Sequence, residues 1–243
     1  MALFKKLRQT RRRSCTAIVA AAGSSTRMGQ GFNKLMVPLG GIPVLARTLQ
    51  ALDRAECVDA IVIAAREEDI LPFSDLCRTY GIRKPVKVVR GGQNRTESVL
   101  MAAMEAGESS ELLAVQDGAR PLVTPELIDR VIRETHRCSA AAPAIPVKDT
   151  VKAVKEGEVV DTTLDRSLLR AVQTPQVFSA DLLKAALQNA LEKNLPITDD
   201  CSAVERLGKM VYLVEGDEEN LKITTPTDLI LAGALLRARE GRA

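Results

Sequence analysis

The sequence predicts an α/β fold, a Rossmann-like and mostly parallel sheet flanked by helices, with a protruding β-arm. Two observations predict the sheet. Apolar, β-branched runs at 16–21, 58–64, 86–89, 112–116 and 140–145 alternate with amphipathic helical patterns at about 43–54, 67–80, 95–106 and 125–137. Alternation of that kind builds right-handed βαβ units and buries a parallel sheet between helical layers. The arm follows from a third observation: the pattern stops after Pro146, and Val147 to Gln176 reads as extended segments around a Lys155-Glu156-Gly157-Glu158 turn. A hairpin leaving the sheet presents an edge that a second copy can cover, so the arm, about 147–176, is expected to dimerise the chain. The alternation then resumes with helices at about 179–193 and 199–207, a strand near 210–214 and a last helix at about 226–240. Residues 14–240 are thus read as one domain.

Each strand exit on the carboxyl rim carries its own chemistry, because ligands of open α/β sheets bind there. The first run, Thr16 to Ala22, breaks into Gly23-Ser24-Ser25-Thr26 and places two cations, Arg27 and Lys34, seven residues apart. Small residues let a ligand approach the backbone, turn N–H groups suit phosphate oxygens, and the cations match a nucleoside triphosphate. A Walker A loop would need a Gly-Lys-Ser/Thr triplet, and the dinucleotide fingerprint would need glycine at Ser25, so neither spelling fits. A tight turn with basic surface residues is the plain alternative. After Val88-Val89, the stretch Gly91-Gly92-Gln93-Asn94-Arg95-Thr96-Glu97-Ser98 opens a helix with paired glycines and a hydroxyl at Ser98. An anion suits such a helix start, although an ordinary strand-to-helix turn reads the same way. Asp117, in Gln116-Asp117-Gly118-Ala119-Arg120, sits where a buried strand ends. A carboxylate facing phosphates suits Mg²⁺, and a salt bridge to Arg120 is the competing use. Pro125 behind Thr124 marks a helix start. Lys222 stands beside a short apolar stretch before a capped helix, where a solvated lysine is the default.

Composition narrows the function classes. Of the 243 residues 46% are hydrophobic, with no Trp, two Tyr and four Phe, so the core must be aliphatic. No apolar run reaches the roughly 18 residues of a membrane span. Five scattered cysteines and one histidine, His136, fit neither a disulfide framework nor a zinc site, which points to a reducing, cytoplasmic setting. The net charge of +3 is misleading, because six cations lie within residues 1–13 without an acid. Removing those six from 34 leaves 28 basic against 31 acidic residues, a net −3, so the body has no nucleic-acid footprint. The basic extension 1–13 lacks an apolar segment of signal-peptide type and is expected to be a solvated, partly disordered tail.

Taken together these segments resemble the 2-C-methyl-D-erythritol 4-phosphate cytidylyltransferase family over about residues 14 to 240. The carriers run in order: Ala21-Ala22-Gly23 with Arg27-Met28 and Lys34, Leu39-Gly40-Gly41-Ile42-Pro43, Gly91-Gly92 with Arg95 and Ser98, and Asp117 with Ala119-Arg120-Pro121. They continue through Asp149-Thr150-Val151-Lys152, Asp165-Arg166, Thr174-Pro175-Gln176, Thr198-Asp199-Asp200, Val214-Glu215-Gly216 and Asn220 with Lys222-Ile223-Thr224. The resemblance implies transfer of CMP from CTP to a sugar-alcohol phosphate, with release of pyrophosphate. It assigns transition-state stabilisation to Arg27 and Lys34 and the Mg²⁺ position to Asp117. Acceptor positioning falls to Arg166 and Lys222, with Thr150 and Arg120 in the same region. It also implies a homodimer in which the arm of one subunit, and so Arg166, reaches the other's site. Cytosine would be selected by a pocket too small for purines around Ala20 to Gly23 and Gly92, with Ser98 nearby; Arg95 and Gly118 complete the expected nucleotide-binding set. Ser25, Asn94 and the Gln116-Asp117-Gly118 triplet depart from the family's usual glycine, acid and His-Asp-Ala, yet remove neither a cation nor the metal carboxylate. A ribitol 5-phosphate cytidylyltransferase and a catalytically silent nucleotide-binding module are the alternatives.

Overall fold

The computed structural model describes residues 12–23 and 33–241. Its first strand, β1 (Cys15–Ala20), lies at the centre of the main sheet because all but its last residue are apolar or small enough to be buried on both faces. A two-residue ribbon, β2 (Pro38–Leu39) with β3 (Ile42–Pro43), precedes α1 (Val44–Arg54). Then follow β4 (Ala60–Ala65), α2 (Ile70–Thr79), β5 (Val86–Arg90), α3 (Arg95–Met104), β6 (Leu112–Asp117), α4 (Pro125–Cys138) and β7 (Ala140–Pro146), as the alternation predicts. Strand β1 pairs in parallel with both β4 and β6, and β5 extends β4.

The period of two along each strand divides the core into two layers. Ala17, Val19, Ile61, Ile63, Leu112 and Ala114 face one side, where α1, α2 and α4 supply Leu45, Leu49, Phe73, Leu127 and Ile132. Ile18, Val62, Ala64, Leu113 and Val115 face the other, against α3 and the later helix α5 (Ala180–Glu192). Helix starts follow capping chemistry: the Thr124 hydroxyl accepts from Leu127 N ahead of Pro125, and the Asn94 side chain accepts from Glu97 N ahead of Arg95.

The arm is shorter than the sequence suggests. Only β8 (Lys152–Val154) and β9 (Val160–Thr163) form a separate hairpin, turning at Gly157 with φ 78°. The chain is back on the main sheet by β10 (Arg170–Val172) and β11 (Gln176–Ser179), which run antiparallel along β7; β11 also pairs with β6. The expected boundary of 147–176 therefore merges a free hairpin with a strand that belongs to the sheet. Beyond α5 come α6 (Asp200–Arg206), β12 (Tyr212–Glu215), parallel to the other side of β7, and α7 (Pro226–Glu240). The basic extension is also revised at its inner end: Arg12 pairs with Asp59 at 2.7 Å, and Arg13 donates to Ser179 Oγ at 3.0 Å. These two cations dock on the amino end of the sheet; residues 1–11 lie outside the described residues.

Candidate active site

A cavity of about 330 Å³ opens over the carboxyl ends of β1 and β6. The β1 exit contributes Ala20, Ala21, Ala22 and Gly23; the β5 exit contributes Gly92, Arg95 and Ser98; the β6 exit contributes Asp117 and Gly118. Lys34 and Lys222 complete its charged lining. The entire expected nucleotide-binding set therefore borders one space. Arg27 lies outside the described residues.

The two glycine-bearing loops touch each other. A Cβ at Gly91 would stand 2.7 Å from Ala22 Cβ and 2.8 Å from Ser98 Oγ, so only glycine lets the β1 and β5 exits close together. Ser98 also has a structural task. Its hydroxyl donates to Asn94 O at 2.8 Å and accepts from Gly92 N at 3.0 Å, so it shapes the loop from a buried position while bordering the cavity.

Asp117 is the only acidic residue among the described residues that line the cavity. Its Oδ2 lies 3.0 Å from Lys222 Nζ and 3.4 Å from Arg120 Nε, and its Oδ1 lies 4.0 Å from Arg95 Nη2. Burial pushes the carboxyl up, but Lys222, Arg120 and Arg95 together outweigh that, holding it below its ordinary value and ionised. The salt bridge to Arg120 thus forms, yet as part of a larger cluster. Lys222 is an ion-pair partner rather than a merely solvated lysine. Among the described residues no group of three or more His, Cys, Asp or Glu could cage a metal. A single carboxylate nevertheless suits Mg²⁺ when substrate phosphates supply further ligands, and Asp117 meets that requirement.

The segment after β12 locks this cluster. Arg120 Nη1 donates to Asn220 O at 2.6 Å, Asn220 Nδ2 donates to Thr174 O at 3.0 Å, and Thr174 Oγ1 accepts from Asp117 N at 3.1 Å. Ile223 N donates to Ala119 O at 2.8 Å, while Ile223 O accepts from Lys34 Nζ at 2.9 Å. The turn that begins at Lys34 is capped by Asn33, whose Oδ1 accepts from Leu35 N and whose Nδ2 donates to the buried Asp69. Arg120 itself is buried behind Asp117 rather than lining the space, and burial lowers its pKa against the opposing pull of Asp117.

Two expected acceptor residues are not brought to this cavity. Thr150 is exposed, and Arg166, also exposed, donates to Lys148 O at 2.6 Å at the base of the arm. Conversely, Gln176 and Asp200 had no role assigned from the sequence. Gln176 Oε1 accepts from Asp200 N and Cys201 N while its Nε2 donates to Asp199, which pins the start of α6 beside the cavity. Their place in the Thr-Pro-Gln and Thr-Asp-Asp stretches was the available signal. His136 sits near Arg13, at the far end of α4, away from the site.

Comparison with known proteins agrees with this geometry. The 2-C-methyl-D-erythritol 4-phosphate cytidylyltransferase family model matches residues 15–238. The enzyme of that name from Bacillus cereus is 42% identical over 225 residues, covering 93% of this chain and 99% of the relative. The one from Caldanaerobacter subterraneus is also 42% identical, over 91% and 98% of the two chains. Among solved structures, the 4-diphosphocytidyl-2C-methyl-D-erythritol synthase of Anaerococcus prevotii superposes with a TM-score of 0.83 at 30% identity, covering 93% of this chain and 99% of that one. The cytidylyltransferase of Thermus thermophilus gives 0.74 at 33% identity, over 92% and 99%. With the match spanning nearly the whole sheet and every described strand exit of the cavity, this chain belongs to the 2-C-methyl-D-erythritol 4-phosphate cytidylyltransferase family.

Proposed function

We propose that the cavity over β1 and β6 transfers CMP from CTP to 2-C-methyl-D-erythritol 4-phosphate and releases pyrophosphate, a step of non-mevalonate isoprenoid biosynthesis. The observation that carries the assignment is the convergence of Lys34, Lys222 and Asp117 on one space between two glycine-bearing loops. The chain is a CTP-dependent nucleotidyltransferase, in keeping with relatives named cytidylyltransferases.

The nucleophile is a phosphate oxygen of the acceptor, whose second pKa of about 6 leaves it largely dianionic at neutral pH, so no general base is required. That suits a site whose described residues include no histidine. The barrier lies in bringing one anion to the α-phosphorus of another, so catalysis reduces to position and charge. Lys34, and Arg27 with it, offset charge gathering on the α-phosphate and the departing pyrophosphate. Lys34 is aimed by the Ile223 carbonyl, which a phosphate oxygen can replace as acceptor. Asp117 would hold Mg²⁺, which supplies charge neutralisation across the triphosphate. Lys222, 3.0 Å from Asp117, is suited to the acceptor phosphate, with Arg120 holding Asp117 from behind. Cytosine would sit against the Ala20–Gly23 and Gly92 backbone, and discrimination against purines would rest on the size of that pocket.

Arg166 and Thr150 are proposed to act across a homodimer. The arm and its return expose Val154, Val159 and Leu168, and the edge strand β12 exposes Tyr212 and Leu213 on its two faces, apolar side chains that a second copy could cover. Five unpaired cysteines among the described residues agree with a reducing compartment such as the cytoplasm, and no described helix is long and apolar enough to cross a membrane.

Pyrophosphate release from CTP and Mg²⁺ is the test, run in parallel with methylerythritol phosphate and ribitol 5-phosphate. Release with the first acceptor alone is expected. Preference for ribitol phosphate would transfer the chain to the sister reaction, and no release with either would leave a silent nucleotide-binding module.

A further inference from the structure

One nitrogen, Arg95 Nη2, stands between two carboxylates: 2.7 Å from Asp200 Oδ2 and 4.0 Å from Asp117 Oδ1. Only the first distance is a hydrogen bond. Asp200 is fully buried at the start of α6, and its Oδ1 has no hydrogen-bond partner among the described residues. A buried carboxylate with one oxygen unsatisfied is a poor stabiliser, since desolvation offsets much of the ion-pair attraction. Its charge nevertheless does something specific here. It takes the guanidinium that would otherwise close the remaining ångström onto Asp117. Asp117 Oδ2 is already engaged by Lys222 and Arg120. With Arg95 drawn aside, its Nη2 stays 4.0 Å from Oδ1, beyond hydrogen-bond distance.

We propose that Asp200 is a positioning residue that holds Arg95 off Asp117, so that Asp117 Oδ1 stays open to the divalent cation that accompanies CTP. The proposal rests on the cytidylyl-transfer assignment of the cavity. Gln176 belongs to the same device, because its side chain fixes Asp199 and the Asp200 backbone and so sets where the Asp200 carboxylate lies. Without the Asp200 charge, Arg95 swings to the nearest remaining carboxylate and caps the oxygen, and the divalent cation must then compete with a tethered guanidinium.

The experiment measures CTP binding by calorimetry without acceptor, across a Mg²⁺ series, for the full-length protein and for Asp200→Asn, Arg95→Gln and the double variant. In Asp200→Asn the Mg²⁺ concentration giving half-maximal CTP binding is expected to rise roughly tenfold, as for loss of residues that orient a metal ligand. In the double variant, which leaves no unpaired buried charge, that midpoint is expected within about twofold of the Arg95→Gln value, since no guanidinium remains to cap Asp117. An unchanged midpoint in Asp200→Asn, or weakening that is equal at every Mg²⁺ concentration, overturns the proposal. So does a midpoint raised as far in the double variant, which remains decisive should the single variant fail to fold. Failure of the underlying assignment looks different: the unaltered protein would itself show no Mg²⁺-dependent CTP binding.

Discussion

At the scale of the residue, the site is an arrangement of charges each held by a neutral partner or an opposite charge from a distant part of the chain. Lys34 offers the simplest test, because a donor aimed at developing charge matters more to the transition state than to the ground state. Lys34→Ala is expected to lower kcat by about 10²–10³ with a small change in CTP affinity; steady-state kinetics with a near-normal kcat would reject its role. Asp117 supplies a pH signature. Its carboxyl is held below the ordinary value of 3.8, so its contribution to stability is complete above the unfolded value and vanishes as pH falls through the lower folded one. The melting-temperature gap between the unaltered protein and Asp117→Asn should therefore narrow as pH falls below about 5, through the unfolded value and on toward the lower folded one. Parallel curves would mean that the three surrounding cations do not act on Asp117 as their distances suggest. Asp117 and Gly92 were legible in the sequence because each stands at a strand exit, where local pattern and chemistry coincide, and Lys34 because it follows the small-residue run after β1. Asp200 was not, because its partner Arg95 is 105 residues away and only the packed fold joins them.

At the scale of the element, helices and strands of the doubly covered sheet were readable because burial imposes a strict period on both. The arm was not. All three residues of β10 are exposed in the chain, so no apolar alternation marks where the excursion ends and the sheet resumes. What the elements do for function lies in how their ends meet. The β1 and β5 exits approach so closely at Gly91 that one methyl group separates them from overlap. Gly91→Ala is expected to displace the cavity wall and reduce kcat/KM for CTP by about 10²-fold, the scale of a misplacement near 1 Å. Kinetics indistinguishable from the unaltered protein would show that the loops yield without cost to binding.

At the scale of the molecule, the carboxyl rim gathers residues far apart in sequence, while the arm and the β12 edge expose apolar side chains that the proposed homodimer would cover. Leu168, 80% exposed beside Arg166, is the sharpest probe of that assembly. Leu168→Glu is expected to yield a monomer by sedimentation and to raise the acceptor KM, since Arg166 would then lose its place across the interface. A dimer with unaltered KM would remove the arm from the site. The hydrogen bond from Lys34 to the Ile223 carbonyl spans 189 residues and has a consequence for biosynthesis. A ribosome delivers Lys34 well before the segment that anchors it. A nascent chain can thus pair β1 with β4 and β6 while Lys34 still lacks that anchor, so Lys34 reaches its set position only after the later segment has packed.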